Sequence, residues 1–267
     1  MCSSDLYTHT GLSVPVHVIH GAQEGPVLFI AGAVHGDEIN GVEIIRRVLA
    51  SRRLRSMKGT LIAVPVVNIF GFLNQERYLP DRRDLNRAFP GSESGSLARR
   101  MAHLFVTEVV ARCTHGIDLH TAAINRENLP QVRAVLDDPD TELMAKAFGL
   151  PVIVNTSIIQ GSLRETAENL GVRVIVYEAG EALRFDEVSI RGGSRGVLAV
   201  MEAIGMLRQR PRRKLVKEPF AARQSTWVRA PQSGIHRALC ALGREVGRGE
   251  VLGYIADPLG DNEAPVL

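Results

Sequence analysis

A mixed, mostly parallel central sheet flanked by helices, with a small β module at the C-terminal end, is the fold class this 267-residue sequence predicts. Three observations predict it. Short, nearly continuous apolar runs alternate with stretches of helical spacing over the first 208 residues, the mark of buried strands joined by covering helices. Polar residues able to do chemistry stand directly after those runs, where sheets of this kind place their ligands. From residue 220 onward, short β-like runs are broken by closely spaced glycines.

Residues 27–34 (VLFIAGAV) form the first buried run, and residues 39–53 then carry Val42, Ile45, Val48 and Leu49 at helical spacing. Residues 60–67 (TLIAVPVV), 116–120 (GIDLH), 151–155 and 172–177 (VRVIVY) read as further strands, and His17 and His20 lie in an N-terminal β-like run. Helices are expected at 96–112, 140–148 and 162–170, the last opened by a capping box of Ser162 and Glu165. Residues 187–207 keep helical patches despite Gly192 and Gly193. The basic stretch 209–219 (QRPRRKLVKEP), bounded by prolines and free of aromatic residues, reads as a solvated linker. The organisation is therefore an α/β catalytic domain over 1–208, a linker over 209–219 and a β module over 220–267 that ends short of the strands it would need for closure.

With 32 Lys and Arg against 29 Asp and Glu, the net charge of +3 gives no reason to expect nucleic acid or an anionic membrane as partner. No apolar stretch approaches the roughly 18–20 residues that span a bilayer, and no secretory leader is expected, so a cytoplasmic location is the default. Cys2, Cys113 and Cys240 are too scattered for a disulfide framework or a Cys-x-x-Cys knuckle. Residues 1–6 fit no pattern and carry no functional expectation.

His35-Gly36-Asp37-Glu38 follows the first strand. Gly36 gives the turn the freedom to aim an imidazole and a carboxylate at one point, and both groups are good zinc ligands. His120 ends another strand, in Asp118-Leu119-His120-Thr121. Three protein ligands from two strand ends, with a fourth position open, are the pattern of a catalytic zinc site. His17, His20, His103, His115 and His236 lack such placement. Glu178, closing the run 172–177, is the candidate general base because partial burial there would raise its pKa. Glu181 is its rival, expected to face solvent beyond Gly180. Residues 77–91 (RYLPDRRDLNRAFPG) are too polar for core, and a guanidinium there would bind a substrate carboxylate bidentately.

HGDE at 35–38, DLNRAFPG at 84–91, DLHT at 118–121 and YEAG at 177–180 together resemble the succinylglutamate desuccinylase and aspartoacylase family, relatives of the zinc carboxypeptidases. The resemblance runs over about residues 27–207. It implies a zinc carboxypeptidase-like fold, one zinc per chain on His35, Glu38 and His120, and Glu178 as general base and later proton donor. Asn86 and Arg87 would hold the carboxylate of the amino-acid part. Arg77 would polarise the scissile carbonyl, with Arg82 and Arg83 as competitors, and Asp84 would orient a zinc histidine. The C-terminal module is similar to the biotinyl-like β domain often appended in this family.

The expected reaction is hydrolysis of the amide of a small N-acyl amino acid. The rival readings are carboxypeptidase action on short peptides and a zinc-binding module without catalysis. The acyl group, the amino acid and the oligomeric state, a homo-oligomer included, are left open; Arg126, Arg164 and Tyr177 are further candidates for the pocket wall.

Overall fold

The computed structural model describes residues 11–210 and 218–267. The expectations placed on Cys2, on residues 1–6 and on most of the linker fall outside that range. The described residues fall into two compact units, the first reaching to Arg223 and the second running from Gln224 to Leu267.

The first unit is built on an eight-stranded sheet. In chain order its elements are β1 (His17–His20), β2 (Gln23–Gly32), α1 (Asn40–Leu49), β3 (Lys58–Val64), α2 (Ile69–Asn74), α3 (Leu97–Glu108), β4 (His115–Ala122), β5 (Asn128–Ala134), α4 (Pro139–Phe148), β6 (Val152–Asn155), α5 (Leu163–Asn169), β7 (Arg173–Glu181), α6 (Glu187–Ala203) and β8 (Phe220–Ala222). The strands lie in the order β1-β3-β2-β4-β7-β5-β6-β8. β1 is antiparallel to β3, and β5 to β7; the other pairs are parallel.

Side-chain alternation divides the interior into two layers. Leu28, Ile30, Leu61, Ile117, Leu119, Ile175 and Tyr177 pack on one face with Ile44, Val48, Phe148, Val197 and Met201 of α1, α4 and α6. Phe29, Ala31, Ile62, Val64 and Val174 pack on the other with Met101, Phe105, Leu163 and Ala167 of α3 and α5. Each fully buried large apolar side chain contributes about 1.5–3 kcal/mol, so a polar residue on these strands is tolerated only near their ends or with partners.

Most expected elements are present with shifted ends. The run 27–34 bends out of the sheet after Gly32, with Ala33 at φ 46, because the chain must turn there. Ser162 caps α5, accepting from the Glu165 N–H at 3.1 Å, while the Glu165 carboxylate accepts from Gly161 N–H rather than from its own cap residue. β5 and α2 have no counterpart in the expected elements. Pro130 weakens the strand signal of β5, whose register against β7 is irregular between Asn128 and Gln131. Residues 220–222, expected to open the C-terminal module, instead form β8 and pair in parallel with β6.

The second unit holds a three-stranded antiparallel sheet, β11-β10-β9, from β9 (Ile235–Ala238), β10 (Gly253–Ala256) and β11 (Ala264–Val266). Arg237 lies 5.7 Å from the Tyr254 ring centroid. Among the described residues, no helix is long and apolar enough to cross a membrane.

Candidate active site

The turn 35–38 sits where β2 leaves the sheet. Val67 and Asn68, just past β3, donate backbone N–H groups to Gly32 and Ala33, and Glu38 N–H closes the turn on His35 O at 3.1 Å. Gly36 is required by space: a Cβ there would lie 2.0 Å from the Gly71 carbonyl carbon and 2.2 Å from Phe72 N, both backbone atoms of α2. The next helix is tied to the exit of β7 by Asn40, whose Nδ2 donates to Ala179 O and whose Oδ1 accepts from Asp186 N–H.

His120 stands on the α5 side of β4, the face opposite Ile117 and Leu119. Its Nδ1 lies 2.8 Å from Glu38 Oε2, and the Nδ1 of His35 lies 2.7 Å from Glu38 Oε1. Thr121 N–H also donates to Glu38 Oε2. The outer nitrogens are held as well: His35 Nε2 is 3.0 Å from Asp84 Oδ1, and His120 Nε2 is 2.8 Å from Asp118 Oδ2. His35, Glu38 and His120 are all buried, and one donor atom from each can be chosen so that all lie within 4.8 Å of one another.

Burial opposes ionisation of Glu38, but the two imidazoles beside it outweigh burial and hold its carboxyl well below the usual carboxylate range. Burial likewise disfavours the imidazolium forms, yet the surrounding carboxylates raise His35 and raise His120 further. This donor set fits zinc. Two imidazoles and a carboxylate converge, and each imidazole gives its other nitrogen to an aspartate, which fixes the Nδ1 lone pair toward the common point.

Arg77 donates from Nη1 to Glu38 Oε1 at 2.9 Å and from Nη2 to Asp84 Oδ2 at 3.4 Å, so the structure brings it to the cluster. Arg82 and Arg83 are exposed, and Arg83 pairs with Asp81 instead. Glu178 lies on β7 at the register position facing His120. Burial raises its pKa, against the opposing pull of His120 and Arg133. Glu181 is half-buried rather than open to solvent: it accepts from Asn125 N–H and pairs with Arg184, tethering the loop after β4.

Asn86 and Arg87 are in a short 3-10 turn, residues Leu85–Arg87, capped by Asp84. Asn86 Oδ1 is already taken by the N–H of Leu163 at the start of α5, which leaves the amide NH2 to face a ligand. Arg87 is exposed and lines a cavity of about 440 Å³ together with Arg83, Asp84, Phe89 and Arg99. Arg164 is buried and bonded to Thr156 Oγ1 and to the carbonyls of Thr156 and Ser157, Tyr177 is core, and Arg126 is exposed.

Sequence reasoning missed three neighbours. Asp118, two residues before His120 on one strand, had a readable signal, because a period of two puts both on one face. Asn128 and Arg133, which approach Glu178, had none, since β5 itself was not foreseen.

Residues 24–204 match the family described as the succinylglutamate desuccinylase/aspartoacylase catalytic domain. Over 99% of its length the chain is 28% identical to the N-alpha-acetyl-L-2,4-diaminobutyric acid deacetylase of Halomonas elongata, of which it covers 80%. It superposes with a TM-score of 0.84 on a crystal structure of a succinylglutamate desuccinylase/aspartoacylase from Rhodobacter sphaeroides, at 28% identity over 96% of this chain and 81% of that one. The product-bound ectoine utilization protein EutE (DoeB) of Ruegeria pomeroyi shares the fold, with TM-score 0.84 and 24% identity over 96% of this chain and 80% of that one.

Proposed function

Because the chain belongs to the succinylglutamate desuccinylase/aspartoacylase catalytic-domain family, we propose that it is a zinc-dependent deacylase cleaving the amide bond of a small N-acyl amino acid. One observation carries the reading: two imidazoles and a carboxylate converge with their outer nitrogens held by aspartates, and Glu178 is one strand away on the same side of the sheet. Every side chain used lies in the first unit, so the activity is assigned there.

His35, Glu38 and His120 would hold the zinc, which when bound polarises the acyl carbonyl and acidifies a water. Arg87 receives the substrate carboxylate, and the Asn86 amide donates to it. Arg77 donates to the oxygen that gains charge as the carbonyl carbon becomes tetrahedral. Glu178 takes the proton from the attacking water at its carboxylate and passes it to the departing amine nitrogen. The buried setting of Glu178 makes it a stronger base than an exposed carboxylate. The activity of the Halomonas relative on an N-acetylated diamino acid supports testing acetyl conjugates first.

The test is amine release from acetyl, succinyl, formyl and aspartyl conjugates of amino acids, with dipeptides alongside. Acyl conjugates are expected to turn over and dipeptides not; preference for dipeptides would favour the carboxypeptidase reading. Purified protein should carry about one zinc per chain, lost in His35→Ala and in His120→Ala. Full hydrolysis by Glu178→Gln with its zinc retained would refute the mechanism.

A further inference from the structure

Glu178 is held from the side away from the histidines by two residues of β5. Asn128 Nδ2 donates to Glu178 Oε2 at 2.6 Å, and the Arg133 Nη1 lies 3.3 Å from Glu178 Oε1. Each carboxylate oxygen thus has its own partner. Where β5 runs against β7, Asn128 faces Gly180 and Gln131 faces Glu178, so two residues, Leu129 and Pro130, stand opposite Ala179 alone. This bulge, at a proline that could not donate to the ladder, brings Asn128 back to Glu178 instead of to its own cross-strand neighbour. Arg133 alternates with the core residues Val132 and Ala134, and so extends over the same sheet face as Glu178.

The arrangement is costly if its purpose is packing. Arg133 Nε is buried and has no hydrogen-bond partner in the structure. Arg133 also lies within electrostatic reach of Arg164, whose pKa is lowered by burial first and then by Arg133. Arg164 cannot replace it, being bound to Thr156 and Ser157. A guanidinium kept beside a second one, with a donor unsatisfied, is set up for the carboxylate it faces.

We propose that Asn128 and Arg133 are positioning residues that fix the Glu178 carboxylate in one orientation, Asn128 holding Oε2 and Arg133 holding Oε1. The inference rests on the deacylase reading for its kinetic consequence, but the positioning itself is read independently. Neither residue touches the substrate; each acts through Glu178, leaving the remaining lone pairs of the two oxygens free to meet a water.

The experiment compares Arg133→Met, Arg133→Lys, Asn128→Ala and the isosteric Asn128→Asp in the full-length, zinc-loaded protein, with kinetics on an N-acetyl amino acid and a crystal structure of each. Arg133→Met is expected to lower kcat by about 30-fold or more, a share of the roughly 10²–10⁴ that a positioned base supplies, with KM within about threefold. Arg133→Lys should recover most of kcat, and Asn128→Asp, which sets a like charge against Glu178, should cost at least as much as Asn128→Ala. In crystals of Arg133→Met and Asn128→Ala the Glu178 side chain should leave its parent rotamer while zinc content is unchanged. A Glu178 that stays in place in both variants would overturn the inference, and so would a rise in KM with kcat preserved. An unaltered protein that releases no amine would instead overturn the deacylase reading, and the rotamer comparison would still decide the positioning.

Discussion

Replacing Gly36 by alanine is the most direct probe of how the metal-ligand turn is held. The added Cβ would lie 2.0 Å from Gly71 C, 2.2 Å from Phe72 N and 2.5 Å from Gly71 Cα, against an ordinary contact distance of 3.4 Å or more. The shortfall exceeds 1 Å and every obstacle is backbone, so no side chain can rotate away; either α2 moves or the turn carrying His35 and Glu38 does. Overpacking of this kind costs about 1–3 kcal/mol, and an obstacle made wholly of backbone points to the upper end. For a unit of this size, about 3 kcal/mol corresponds to a melting temperature lower by roughly 6–12 °C. Calorimetry of the metal-free protein reads the stability, and zinc content after equilibration with one equivalent reads the ligand geometry, which is expected to suffer with it. Gly192→Ala, whose Cβ meets Tyr177 Oη at 3.4 Å and Leu150 Cδ2 at 3.7 Å, is the control and should not melt earlier than the parent. If Gly36→Ala melts within about 2 °C of the parent and takes up zinc equally well, the packing argument for the turn is wrong.

Within α6, Gly192→Ala should raise stability by about 0.5–1 kcal/mol through helix propensity, whereas Gly196→Ala, whose Cβ would lie 2.1 Å from the Phe148 ring, should lower it; chemical denaturation curves separate the two. Asp118→Ala leaves the outer nitrogen of His120 buried without its acceptor and should weaken zinc binding by about 10–100-fold, read by competition with a chelating dye. Burial pushes the Cys113 thiol up to about 12 from 9.0, so the folded protein keeps its proton where the unfolded chain has lost it. Stability from this group is complete below about pH 9 and falls by about 1.4 kcal/mol per pH unit above it, until the folded thiol itself ionises. The alkaline loss measured between pH 9 and 11 should therefore be smaller in Cys113→Ala, and an identical loss in both proteins would count against it.

How much of this was legible in the sequence differs element by element. The strands β2, β3 and β7 announce themselves through their largely buried apolar runs, residues 28–32, 61–64 and 174–177, and β4 through Ile117 and Leu119, which alternate with the polar residues of the site. β5 does not, since Asn128, Gln131 and Arg133 face the site rather than the core and Pro130 interrupts the ladder. α2 is six residues long, too short for a helical period to emerge. β8 carries only three residues and has a strand identity only through β6 beside it.

The candidate site divides in the same way. The sequence alone determined the residue types at strand ends and the order of the four motifs, because these depend on local chain pattern and on which side chains can donate to a metal, whereas the need for glycine at 36 comes from the α2 backbone packed against it. Only the tertiary structure decided the rest. It chose Arg77 over Arg82 and Arg83 for contact with Glu38, spent the Asn86 oxygen on Leu163, and brought Asn128 and Arg133 to Glu178. Each of these outcomes depends on how far one loop reaches toward another, or on which strand lies beside which. Hydrogen bonds and ion pairs act over about 3–4 Å between residues that can be 50 or more positions apart, and neither hydrophobic period nor local propensity encodes that distance.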